Sequence, residues 1–98
     1  MKHIRHVLIS GRVQGVGFRM WTEEEALERG LVGWVRNRRD GSVEALFAGP
    51  AEAVADMVEA CWQGPPGARV EAVDAQPAGE DALGLGYPEQ RFSVLATV

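Results

Sequence analysis

Cysteine is almost absent from this 98-residue chain: Cys61 is the only one. A single thiol excludes an intrachain disulfide and a cysteine-built metal cluster, and it fits a reducing compartment. Long apolar runs are missing too. The opening stretch MKHIRHVLIS has no apolar signal core, and no run approaches the roughly 20 residues that span a bilayer. Positive charge is scarce, with ten Lys and Arg against fourteen Asp and Glu and a net charge of −4. Such a chain repels anions at long range, which argues against a general binder of nucleic acid or membrane surface. Any anion it holds needs a local basic pocket. Internal repeats, linkers and low-complexity tracts are absent as well. What remains is ordinary globular composition, 46% hydrophobic and 24% charged. The length suits one domain over residues 1–98. The expectation is a soluble, cytoplasmic protein for which a monomer suffices.

Residues 4 to 10, IRHVLIS, are rich in Ile, Val and Leu and stop at Gly11, so they predict a strand. Residues 20 to 29 predict a helix. Glu23, Glu24 and Glu25 fall in its first turns, where the dipole favours carboxylates, and Gly30 suits its end. Phe18, Thr22 and Ala26 recur every four residues, with Trp21 and Leu27 beside them, as one apolar stripe. Residues 31 to 37 and 42 to 48 predict two strands joined by the tight-turn pair Asp40-Gly41. In the second, Val43, Ala45 and Phe47 alternate with Glu44 and Leu46, the period of a half-buried strand. After the Gly49-Pro50 break, Val54, Met57, Val58, Cys61 and Trp62 mark a second amphipathic helix, ended by GPPG at 64 to 67. Residues 68 to 76 predict a strand, and 77 to 90 a polar connection. Residues 91 to 97 predict a final strand with Phe92 and Val94 on one face.

The order β-α-β-β-α-β, with a fifth strand at an edge, predicts an α+β, ferredoxin-like split β-α-β sandwich. Two helices, each with one apolar stripe, would cover one face of a mostly antiparallel sheet. In that arrangement the first two strands are parallel, and the third lies between them. Their C-terminal ends share one sheet edge. The glycine-rich loop leaves the first strand there, and Asn37 ends the second. The last strand ends at the same edge, so a pairing of Arg19 with the end of the chain at Val98 stays open.

The loop reads GRVQGVGFR over residues 11 to 19. It is not a Walker A motif, because no Gly-Lys-Ser/Thr follows. It is not a dinucleotide fingerprint, because a third glycine is missing and position 20 is Met20. Glycines let successive N–H groups converge on an anion, and the loop runs into a helix N-terminus. Arg19 adds a planar fork that matches two phosphate oxygens. Glycines serving only a turn and close packing would read the same way, and the residues alone leave both readings standing.

The other reactive side chains have plainer readings. His3 and His6, three apart on a strand, point to opposite faces and do not share a metal. Cys61 lies on an apolar helix face and reads as core. Trp34 and Trp62 read as packing residues. The run RNRR, residues 36 to 39, is a small patch of solvated turn charges rather than a nucleic-acid surface, since no aromatic pair accompanies it. Thr22 either bonds helix backbone or supports the loop.

The stretches GRVQGVGFR, 11 to 19, and GWVRNRRDGSVEALFAG, 33 to 49, resemble the two motifs of the acylphosphatase family in order and spacing. Length and element order agree with that family; residues 77 to 90 carry no recognised motif. The resemblance implies hydrolysis of the carboxyl–phosphate bond of small acyl phosphates, without metal or cofactor. It further implies that Arg19 binds the phosphate. The main-chain N–H groups of Gln14, Gly15, Val16, Gly17, Phe18 and Arg19 help it, and Asn37 positions the attacking water. The alternative is a non-enzymatic anion-binding or regulatory module of the same fold. The chemistry is consistent. A carboxylate is a good leaving group, so charge stabilisation and alignment matter more than a general acid, and the motifs contain none.

Overall fold

The computed structural model describes residues 2–98; Met1 lies outside the described residues. The elements run β1 (His3–Arg12), α1 (Phe18–Glu28), β2 (Val32–Asn37), β3 (Val43–Gly49), α2 (Ala51–Cys61), β4 (Arg69–Pro77), a 3-10 helix (Glu80–Leu85) and β5 (Phe92–Val94). The sheet order is β4-β1-β3-β2-β5. Strand β3 is antiparallel to both β1 and β2, and β5 adds in parallel to the outer side of β2. This is the expected split β-α-β sandwich with its fifth strand at an edge. No helix among the described residues is long and apolar enough to cross a membrane.

Alternation along the strands builds the main core. Val7 and Ile9 of β1, Val35 of β2, and Val43, Ala45 and Phe47 of β3 face the helices with Phe92. They meet Phe18 and Ala26 of α1 and Val54, Met57 and Cys61 of α2. Burial pushes the Cys61 thiol up to about 12, so it is an inert core group. Two stripe residues fall outside this core. Leu27 is 42% exposed, because nine residues at 100° place it half a turn from Phe18. Trp62 is 48% exposed, because α2 ends at Cys61 and the chain turns away.

The opposite sheet face is also covered, which corrects two expectations. Ile4, Trp34, Leu46, Ala48 and Leu95 form a second cluster there, and Ala78, Ala82 and Leu83 pack against it. The connection after β4 is therefore not a plain loop. Its 3-10 helix lies across this face, and the Trp34 Nε1–H donates to the Ala82 carbonyl at 2.8 Å. Strand β3, central in the sheet, is buried on both faces from Val43 to Ala48 rather than half-buried. The final strand is shorter than the expected 91 to 97. Beyond Val94 the chain still follows β2, with Leu95 N–H donating to the Val35 carbonyl at 2.8 Å.

At the hairpin end of this face the apolar cover gives way to charge. Glu44, 7% exposed, accepts hydrogen bonds from Arg36 Nε at 2.6 Å and Arg38 Nη1 at 2.9 Å. His6 Nε2 lies 2.6 Å from its other oxygen. The RNRR charges are thus not all solvated: Arg36 and Arg38 converge on one buried carboxylate, and only Arg39 is exposed. Burial alone would raise the Glu44 carboxyl. The hydrogen bonds from Arg36, His6 and Arg38 outweigh it and hold the group at about 2, against an ordinary 4.5. A depressed carboxyl stabilises the fold above pH 4.5, and this contribution disappears as pH falls from 4.5 towards 2. The full gap corresponds to about 3 kcal/mol; water around Arg38 screens it, leaving on the order of 1–2 kcal/mol. Thermal unfolding from pH 6 to pH 2.5 should therefore show a steep loss below pH 4.5 that Glu44→Gln flattens. An equally steep loss in that variant would assign the acid sensitivity elsewhere.

Candidate active site

Strand β1 pairs with β4 as far as Arg12, through a register shift between Ser10 and Gly11. Gly11 has φ +119°, and a Cβ there would stand 2.3 Å from the Arg69 carbonyl oxygen, so only glycine passes. The chain then leaves the sheet. Val13 anchors it in the core, and Gly15 and Gly17 take left-handed φ values of +76° and +80°. A Cβ at either would meet nothing within 4 Å, so conformation rather than crowding calls for glycine. Gly17 delivers the chain straight into α1, which starts at Phe18 rather than at the expected residue 20. Glu23, Glu24 and Glu25 consequently lie beyond the first turn. Glu25 instead accepts from Arg29 Nη1 at 2.8 Å, four residues on. Gly30, in the left-handed conformation just past the cap residue Arg29, ends the helix as expected.

Within this loop, no main-chain or side-chain acceptor among the described residues takes the N–H groups of residues 14 to 20. The first internal bond of the turn is Trp21 N–H to the Gly17 carbonyl at 3.0 Å. A row of unpartnered donors at a helix N-terminus is a ready anion cradle. Arg19, the second residue of α1, is half-buried and enters no ion pair among the described residues. Thr22 does not support the loop; its Oγ1–H donates to the Phe18 carbonyl at 2.8 Å, bonding the helix backbone.

Asn37 closes β2 opposite this cradle. Its carbonyl accepts from Val98 N–H at 3.2 Å, and Arg39 N–H donates to the Val98 oxygen at 2.7 Å. The end of the described chain is thus engaged by Asn37 and Arg39, and no ion pair joins it to Arg19. Sequence reasoning missed a further tie. Gln14 Nε2 donates to the carbonyls of Arg38 at 2.7 Å and Ser42 at 2.8 Å, the two sides of the hairpin mouth. Asp40 shapes that hairpin by accepting from the N–H and hydroxyl of Ser42, which hold its carboxyl below the usual range. The side chain of Gln14 therefore fixes the loop to the strand end that carries Asn37. Gln14→Ala keeps the main-chain N–H and removes both bonds. It should lower stability by about 1–2 kcal/mol, read by thermal unfolding.

A cleft of about 560 Å³ lies between these parts. Gln14, Gly15, Gly17, Phe18, Arg19 and Asn37 all line it. Val16 does not; it packs against the core. Glu23, Tyr87 and Gln90 also line the cleft. These three were not anticipated as site residues. The available signal was Tyr87-Pro88, a turn carrying the one tyrosine of the chain in a segment with no other explanation.

The acylphosphatase family model matches residues 5–85 of the chain, which includes the cradle, Asn37 and the hairpin. The chain belongs to the acylphosphatase family. An acylphosphatase of Nitrobacter hamburgensis is 62% identical over 95 residues, covering 97% of this chain and 96% of that protein. Among solved structures, an acylphosphatase from Bacillus subtilis superposes with a TM-score of 0.83 at 38% identity, covering 97% of this chain and 99% of that one. One from Coxiella burnetii gives 0.83 at 33% identity, covering 96% and 93%. Acylphosphatase membership thus extends over the region 77 to 90 in which the sequence showed no motif.

Proposed function

We infer that this protein is a hydrolase that cleaves the carboxyl–phosphate bond of small acyl phosphates, releasing a carboxylate and inorganic phosphate. The observation that carries this reading is the convergence on one cleft of Arg19, Asn37 and the loop residues Gln14, Gly15, Gly17 and Phe18, whose N–H groups are unpartnered among the described residues. The phosphoryl group sits in the cradle, its non-bridging oxygens held by those N–H groups and by the Arg19 fork. Negative charge on these oxygens is then met by donors already in place, so the transition state needs little reorganisation. Asn37 holds a water in line with the scissile bond. Its amide both accepts from and donates to that water. An amide takes no proton at neutral pH, so a phosphoryl oxygen of the substrate receives it. The leaving carboxylate is weakly basic and departs without an enzyme acid. A single copy of the chain, folded as one domain in the cytoplasm, suffices for this work.

The test is release of inorganic phosphate from benzoyl phosphate with a strong chelator present. Release that survives the chelator supports this reading. No release by a folded protein overturns it and favours the anion-binding module. A rate that follows the titration of a carboxyl or imidazole near neutral pH would overturn the substrate-assisted proton transfer.

A further inference from the structure

The cleft is far larger than a phosphoryl group; its 560 Å³ lies in the range of sites for drug-sized ligands. Arg19 and Asn37 account for one end. The other is made by the crossover after β4. Gly33 N–H donates to the Arg91 carbonyl at 3.1 Å, which sets the segment before β5 beside the start of β2, whereas Asn37 ends that strand. Four residue steps along the strand separate Gly33 from Asn37, roughly 13 Å. Tyr87 and Gln90 line the cleft from this segment; Val94 of β5, paired with Val35 two residues before Asn37, and Met20, next to Arg19 on α1, line it too. The turn is fixed rather than loose. Tyr87 N–H donates to the Oγ of fully buried Ser93 at 2.9 Å, and Gln90 N–H donates to the Tyr87 carbonyl at 3.0 Å. Yet Tyr87 on this turn is 47% exposed, and Met20 on α1 is 67% exposed. An aromatic ring and a thioether, standing over a cleft already lined with polar donors, suit a flat or extended apolar group. Glu23 lies four residues after Arg19, on the same helix face, and has no ion-pair partner among the described residues. It makes the region beyond the cradle unfavourable to a second negative charge.

We propose that Met20, Tyr87, Gln90 and Val94 form the acyl-group subsite. It favours extended, uncharged apolar acyl groups over small or anionic ones, with Glu23 as the element that turns anionic acyl groups away. This rests on the reading of the cleft as an acyl phosphate hydrolase. The test is steady-state kinetics on acetyl, 3-phenylpropanoyl and succinyl phosphate. In the unsubstituted protein, kcat/KM is highest for 3-phenylpropanoyl phosphate. Tyr87→Ala lowers the ratio of 3-phenylpropanoyl to acetyl phosphate by about five- to tenfold, mostly through KM, and Tyr87→Phe restores it. Glu23→Gln raises the ratio of succinyl to 3-phenylpropanoyl phosphate by roughly three- to tenfold, an effect that shrinks at high salt. If all three substrates are hydrolysed and neither ratio moves, the subsite assignment is overturned while the hydrolase reading stands. If the folded protein hydrolyses none of them, both fall.

Discussion

Arg19→Ala releases phosphate from benzoyl phosphate about a thousandfold more slowly than the parent protein and unfolds at nearly the same temperature. The two halves of that expectation have separate grounds. In the folded chain Arg19 enters no ion pair among the described residues, so its removal strands no buried carboxylate. Little stability is therefore lost. On the proposed mechanism, the same guanidinium faces the oxygens that carry the transition-state charge. A thousandfold is about 4 kcal/mol, at the upper end for one preorganised donor and reasonable for a full charge with two N–H groups. Arg19→Lys separates charge from shape. It restores the cation without the planar fork, and should remain about a hundredfold below the parent. The measurement is kcat/KM alongside thermal unfolding. A rate in Arg19→Ala above a tenth of the parent's would remove Arg19 from the phosphate site. A large drop in melting temperature would make it a structural residue.

The parts of the site that the sequence disclosed are those with local causes. Gly15, Gly17 and Gly41 answer to left-handed backbone at their own positions, and such a demand shows in the residue type. The Asp40-Gly41 turn and the α2 stripe are likewise short-range patterns. Asn37 was placed by topology once the strand order was known. What stayed hidden depends on residues far apart in the chain. Glu44 is held by His6 from β1, Arg36 from β2 and Arg38 from the hairpin, and no spacing rule joins those positions. The 3-10 helix is too short for a periodic signal. Its existence was nevertheless implied. Ile4, Trp34, Leu46 and Ala48 occupy the strand parity opposite the helices, and apolar residues on both parities call for a cover on both faces. Reading β3 as half-buried gave weight to Glu44 and too little to Leu46 and Ala48, further along the same face. The cost was the crossover, and with it Tyr87 and Gln90 on the wall of the cleft.

Asn37→Ala should lower kcat for benzoyl phosphate by about a hundred- to a thousandfold and leave KM within about threefold. The structure separates the two parameters. The groups proposed to hold the phosphoryl group, the loop N–H groups and Arg19, lie on the loop and α1, not on β2. Asn37 ties to the rest of the fold through its main chain: its register partner is Val43, and its carbonyl accepts from Val98 N–H. Its side chain makes no hydrogen bond to protein among the described residues, so truncation removes the amide proposed to orient the water and leaves the strand end in place. Arg19→Ala, by contrast, should affect binding and rate together. Asn37→Asp sharpens the distinction. The carboxylate has nearly the shape of the amide, but it loses the N–H donor and sets a negative charge beside the phosphoryl oxygens. KM should then rise as kcat falls, with the KM effect easing in high salt. A rise in KM for Asn37→Ala equal to that for Arg19→Ala would make Asn37 a phosphate ligand instead of the residue that aims the water.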